Sequence, residues 1–277
     1  MRTAVIGHVE WVHFLRVGCL PTPGEIVHAT DSWEEPAGGG AGAAVQLLKL
    51  SGDTTFFTAL GDDELGRRSE ASLSDHGLHV AAARRAGPTR RGVTHVDSDG
   101  ERTITVLGER IHPKGDDPLP WERLAETDGA YVTAADVPAL RYARRAGIVV
   151  ATARILPLLK EAGVQLDALV GSAVDPDEQY TPGDLDPAPH LVVRTMGSKG
   201  GTVVVAGEKP QHFPAPPLPG PISDRYGAGD SFAAGLTFAL AEGRDPLDAA
   251  GFAARCGAAV LTGRGPYEGQ LSRDDLE

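Results

Sequence analysis

The segment most able to do chemistry is Asp224-Arg-Tyr-Gly-Ala-Gly-Asp-Ser-Phe-Ala-Ala-Gly235. Gly227, Ala228 and Gly229 leave the backbone bare of bulky side chains, and an apolar helix beginning at about Ser231 turns its unpaired N–H groups toward that loop. Such a loop is built to hold an anion. Asp230 stands where loop meets helix, so its carboxylate comes within reach of a bound phosphoryl group and of a hydroxyl attacking it. The same residues also fit a tight turn closed by an N-capping aspartate, because glycine-rich loops before helices are common.

Holding that loop in place takes a scaffold, and the chain reads as alternating strands and helices. Thr3 to Ile6 and Thr54 to Leu60 are extended apolar runs on either side of a helix from Ala41 to Leu50. Ala130 to Ala134, Ile148 to Ala151, Ala168 to Gly171 and Leu191 to Thr195 are short apolar runs beside helix-like segments. The alternation predicts a largely parallel sheet covered by helices. Ser231 to Glu242 and Leu247 to Leu261 read as two alanine-rich helices. Two strand pairs interrupt the pattern. Val9 to Arg16 and Glu25 to Ser32 flank Pro21-Thr22-Pro23-Gly24, while Gly92 to Asp97 and Arg102 to Leu107 flank Ser98-Asp99-Gly100, whose Asp-Gly step suits a hairpin.

Composition narrows the function classes. The 277 residues carry 26 Lys+Arg against 38 Asp+Glu, a net charge of −12 that argues against nucleic-acid or anionic-membrane partners. Two cysteines are too few for a disulfide framework or a thiolate metal site. No apolar run reaches the length of a membrane span, and the first run is broken by Gly7, His8 and Glu10. A cytoplasmic protein is expected.

The carboxy-terminal segment resembles the signature of the ribokinase-like (PfkB) carbohydrate kinases, and further motifs resemble that family in order and spacing. They are Pro21-Thr-Pro-Gly-Glu25, the cluster Gly38-Gly-Gly-Ala-Gly42, Ser51-Gly52, Gly61-Asp-Asp-Glu-Leu-Gly66 and Thr195-Met-Gly-Ser-Lys-Gly200. The resemblance implies a three-layer α/β sandwich over residues 1–277 with a small β lid from about 8–36 and 88–110. It implies transfer of the γ-phosphoryl group of ATP to a hydroxyl, with Mg²⁺ and in some members K⁺. Asp230 then matches the general base, and Gly227, Ala228 and Gly229 the anion hole. Thr195, Gly197, Ser198 and Gly200 match positions around the nucleotide, Gly38 and Gly39 the sugar side. Ser172 and Asp175 stand where the family's magnesium-assisting pair stands, and Asp224 where a monovalent-cation site often forms.

Departures from the family pattern concern the acceptor. Val12 and Ala43 occupy the places of an acid and an asparagine that usually hold the sugar, which leaves Glu10, Asp136 and Arg91 as candidate polar contacts. Two of these have an ordinary structural reading too: Asp136 as a helix N-cap and Arg91, next to Arg90, as part of a solvated turn. Arg225 replaces a small polar residue, and its guanidinium either substitutes for the cation or points to solvent. The acceptor is expected to be sugar-like, with a nucleoside, or a binding protein that kept the fold, as alternatives. Apolar residues on both faces of the 92–107 hairpin, and the family's habit, lead to an expected homodimer through the lid.

Overall fold

The computed structural model describes residues 1–276; residue 277, the end of the expected domain, lies outside the described residues. In chain order the elements are β1 (Arg2–Ile6), β2 (Glu10–Arg16), β3 (Asp31–Ala37), α1 (Gly39–Ser51), β4 (Asp53–Gly61), α2 (Glu64–Asp75), β5 (His79–Arg85), β6 (Arg91–Val96) and β7 (Arg102–Leu107). The second half adds β8 (Gly129–Val132), α3 (Val137–Ala143), β9 (Ile148–Thr152), α4 (Leu156–Ala162), β10 (Ala168–Ser172), β11 (Leu191–Thr195), β12 (Gly201–Val205), β13 (Gln211–Phe213), α5 (Ala228–Ala241) and α6 (Pro246–Val260).

Nine strands form one sheet in the order β13-β12-β11-β10-β9-β8-β1-β4-β5, parallel from β11 to β5 and antiparallel at β12 and β13. Both faces are covered, so its strands are buried on alternate sides. Val5, Tyr131 and Val150 pack with α1, α5 and α6, whereas Ala4, Ile6, Val149 and Ala151 pack with α3, α4 and Trp121. The expected α/β sandwich is what forms. Among the described residues no helix is long and apolar enough to cross a membrane.

The lid is a separate four-stranded sheet, β3-β2-β6-β7. Its first pair differs from the expectation: the second strand runs over Asp31–Ala37 instead of Glu25 to Ser32. Pairing of Arg16 with Asp31 fixes that register, and residues between them, with Pro21, Pro23 and Gly24, form the connection. The hairpin is as expected, with Gly100 at φ 72 in its turn. Asp63 caps α2 by accepting from Gly66 N–H at 2.8 Å, and the same carboxylate accepts from Thr89 N–H at 2.9 Å. A capping residue thereby anchors the root of the lid hairpin.

Candidate active site

The carboxyl ends of β1, β8, β9, β10 and β11 open on one edge of the sheet, the edge at which open α/β sheets bind ligands. Helices α1 and α5 both begin there. Neither has a side-chain cap, their N-cap positions being Gly38 and Gly227. Gly227 has φ 80, a conformation that favours glycine, and a Cβ there would press on Pro266 at 3.3 Å. The first N–H groups of α5, on Ala228, Gly229 and Asp230, lack partners within the helix, so this uncapped start is able to receive an anion.

Helix α5 starts earlier than expected, at Ala228, so Asp230 sits inside its first turn and is not the cap. Its carboxylate lies against the start of α1: a Cβ on Gly39 would come within 2.9 Å of Asp230 Oδ1 and 3.1 Å of Thr133 Oγ1. Gly42, one turn on, gives similar room to the Asp230 side chain. Burial pushes Asp230 up to about 6, with Glu178 and Glu10 adding to the rise and Arg102 and Arg154 opposing it. A carboxylate poised near neutrality beside an anion-binding helix start can accept a proton from a hydroxyl.

On the lid side Glu10 is buried at the start of β2, with Oε1 3.2 Å from Arg90 Nε and 3.5 Å from His8 Nε2. Burial works to raise its pKa, but His8, Arg90 and Arg110 outweigh it and hold the carboxyl below its usual range. Burial depresses His8, so the imidazole is neutral at neutral pH. The expected Arg91 is exposed. Strand parity turns its neighbour Arg90 inward with Gly92, and it is Arg90 that the structure brings beside Glu10. Asp136 is committed elsewhere, since its Oδ1 accepts from Ala139 N–H and Gly115 N–H, each at 2.9 Å, and caps α3. Val12 is buried in an apolar lid cluster with Phe14, Ala37, Val96 and Tyr226, and Ala43 is fully buried in α1.

At the end of β11, Gly197–Lys199 form a short 3-10 turn in which Gly197, Ser198 and Lys199 are exposed. Gly200, at φ 80, leaves no room for a Cβ against the backbone of Phe213. Next along the edge, Asp175 pairs with Arg154 at 2.5 Å and accepts from Asp177 N–H. Glu178 also pairs with Arg154, at 2.7 Å, and accepts from Ser172 N–H at 2.7 Å. Arg154 and Glu178 escaped the sequence reading. Their one legible signal is position, close behind the carboxyl ends of β9 and β10. Asp224 is fully buried, with Oδ1 taken by Tyr226 N–H at 2.7 Å and Oδ2 by Gly265 N–H at 3.1 Å.

The model of the pfkB family carbohydrate kinases matches the chain over residues 2–155 and 165–273. The chain belongs to that family. The pfkB kinase is 26% identical to the aminoimidazole riboside kinase of Salmonella typhimurium, over 86% of each chain. Its fold superposes on the ribokinase of Thermotoga maritima with a TM-score of 0.79 at 22% identity, covering 100% of this chain and 98% of the other. The ribokinase of Arabidopsis thaliana, solved with ribose and ATP, gives 0.77 at 21% identity over 99% and 97%.

Proposed function

We propose that this kinase moves the γ-phosphoryl group of ATP to a hydroxyl of a sugar or sugar-like small molecule, with Asp230 as the base that receives the hydroxyl proton. The observation that carries the reading is the Asp230 carboxylate, set between the uncapped starts of α1 and α5. Phosphoryl transfer asks for alignment and charge neutralisation more than covalent chemistry. Backbone N–H groups at Ala228 and Gly229 meet the transferring group, and Asp230 orients the attacking hydroxyl and takes its proton as the new bond forms. The lid excludes water, which would otherwise take the phosphoryl group.

The ATP assignment draws on the Arabidopsis relative with ribose and ATP and on the turn after β11, where Gly197 and Ser198 are exposed between half-buried Thr195 and buried Gly200. Mg²⁺ fits as an ion held chiefly by the nucleotide's phosphates, where it would neutralise their charge. The Ser172 hydroxyl is an oxygen donor of the right kind for its water shell, whereas the carboxylate oxygens of Asp175 and Glu178 are taken by Arg154 and by backbone N–H groups and would have to exchange partners to join it; among the described residues no cluster encloses a metal directly. Glu10 and Arg90 are the proposed polar grip on the acceptor, with Gly38 and Gly39 forming its floor. The test is ATP consumption screened over sugars, sugar acids, sugar phosphates and nucleosides. No consumption above background with any acceptor would refute the reading.

A further inference from the structure

The chemistry around Asp224 does not suit a monovalent cation. Such an ion needs free oxygens, and here both Asp224 carboxylate oxygens accept backbone N–H groups. The carbonyls on either side of Asp224 in the chain, those of Ser223 and Arg225, are engaged as well. Arg16 Nη1 donates to Ser223 O at 3.3 Å and its Nη2 to Ser223 Oγ at 3.3 Å, while Arg102 Nη1 donates to Arg225 O. Arg225, the expected stand-in for the cation, turns instead toward Glu101, with its Nε at 3.4 Å from the carboxylate.

Both donors belong to the lid. Val96 pairs with Arg16 on one side and with Arg102 on the other, so the two guanidinium groups project from one row of the lid sheet toward the loop. Arg102 also stands 5.8 Å over the ring of Tyr226. The hairpin tip is docked on the same loop: Arg225 N–H donates to Gly100 O at 3.0 Å, and a Cβ on Gly100 would meet Ile222 at 2.9 Å.

We infer that Arg102, assisted by Arg16, is the built-in cation of the 223–229 loop: it holds the carbonyls and charge that a bound K⁺ would otherwise organise, and it ties the anion hole to the lid. Arg102 is a positioning residue, acting through Arg225 O and through its field on Asp230. The consequence for the reaction rests on the kinase reading above, but the binding consequence does not. Wild-type protein needs no K⁺.

The test compares KCl with tetramethylammonium chloride at equal ionic strength, on the full chain and on Arg102→Met and Arg102→Lys. Thermal melting of the wild type is expected to be the same in both salts, a readout that needs no substrate. Turnover of the best acceptor is expected to agree within about twofold. Arg102→Met is expected to lose roughly tenfold or more in turnover, with Arg102→Lys partly restoring it. The groups acting on Asp230 are Arg102 from β7, Arg154 behind β9, Glu178 behind β10 and Glu10 from β2. With Arg102 the foremost cation among them, its removal should move the acid limb of the pH–rate profile to higher pH. A wild type melted at higher temperature or turned over several-fold faster in KCl overturns the inference, as does Arg102→Met at wild-type rate with an unmoved profile. Absence of turnover with every acceptor is failure of the kinase reading, and the melting comparison still decides whether K⁺ binds.

Discussion

Asp230 carries opposite demands. Its carboxyl has been pushed up to about 6 from an ordinary 3.8, so the folded protein binds a proton there more tightly than the unfolded chain does. Stability therefore falls as pH rises between those values, and the charged form at neutral pH costs the fold on the order of 1–3 kcal/mol. Asp230→Asn should be more stable than wild type at pH 8 by that order and gain nothing near pH 4, while turnover drops roughly 10²-fold or more. Calorimetry at the two pH values and a rate assay check both halves. For the wild type the rate should fall about tenfold per pH unit below 6, where the base is protonated. A second residue-scale expectation concerns the acceptor. Val12 sits at 1% exposure in the apolar lid cluster and Ala43 at 0% in α1, so neither can hold a hydroxyl, and an unpaired polar group costs about 1–3 kcal/mol. Ribose is expected to be a poor substrate, with kcat/KM below about 10⁴ M⁻¹s⁻¹. Efficient ribose phosphorylation would mean that Glu10 and Arg90 supply the missing contacts.

At the scale of elements, the start of α1 is as much part of the site as α5. Gly39 is needed because a methyl group there would push on Asp230 Oδ1 and on Thr133 at once. Gly39→Ala should keep the fold, since alanine favours a helix by about 1 kcal/mol over glycine, yet displace the carboxylate and lower turnover with little change in ATP affinity. Steady-state kinetics beside a nucleotide-binding measurement would separate the two effects. Local signals were enough to find β1, β4 and β8 to β11, because buried parallel strands are short apolar runs, and Asp99-Gly100 marked its hairpin. They failed at β5, where His79–Arg85 is rich in alanine and arginine and becomes a strand only by pairing with β4. Strand parity explains the exchange of Arg91 for Arg90: it depends on pairing with β2, which adjacent arginines cannot reveal. Arg102 reaches a loop 123 positions away, a contact that no local pattern encodes.

For the whole molecule, the question is what covers β7. It is the edge strand of the lid sheet, all six of its residues are exposed, and Ile104, Val106 and Leu107 are each at least 40% accessible. An uncovered edge with apolar side chains is a template for another strand. We propose a second copy of this chain as the occupant, lid against lid, because that edge belongs to an element each copy presents alike and self-complementary pairing closes as a two-fold dimer. Light scattering at micromolar concentration should give about twice the 28.9 kDa chain mass, and Ile104→Lys with Val106→Lys should return it to the monomer value. The same substitutions should slow turnover, because β7 also carries Arg102 and fixes its approach to the 223–229 loop. A wild-type mass near 28.9 kDa would remove the dimer and leave the edge strand facing solvent, with the hairpin held within the chain by the pairing of β6 with β2, by Thr89 at its root and by Gly100 and Arg102 on the 223–229 loop.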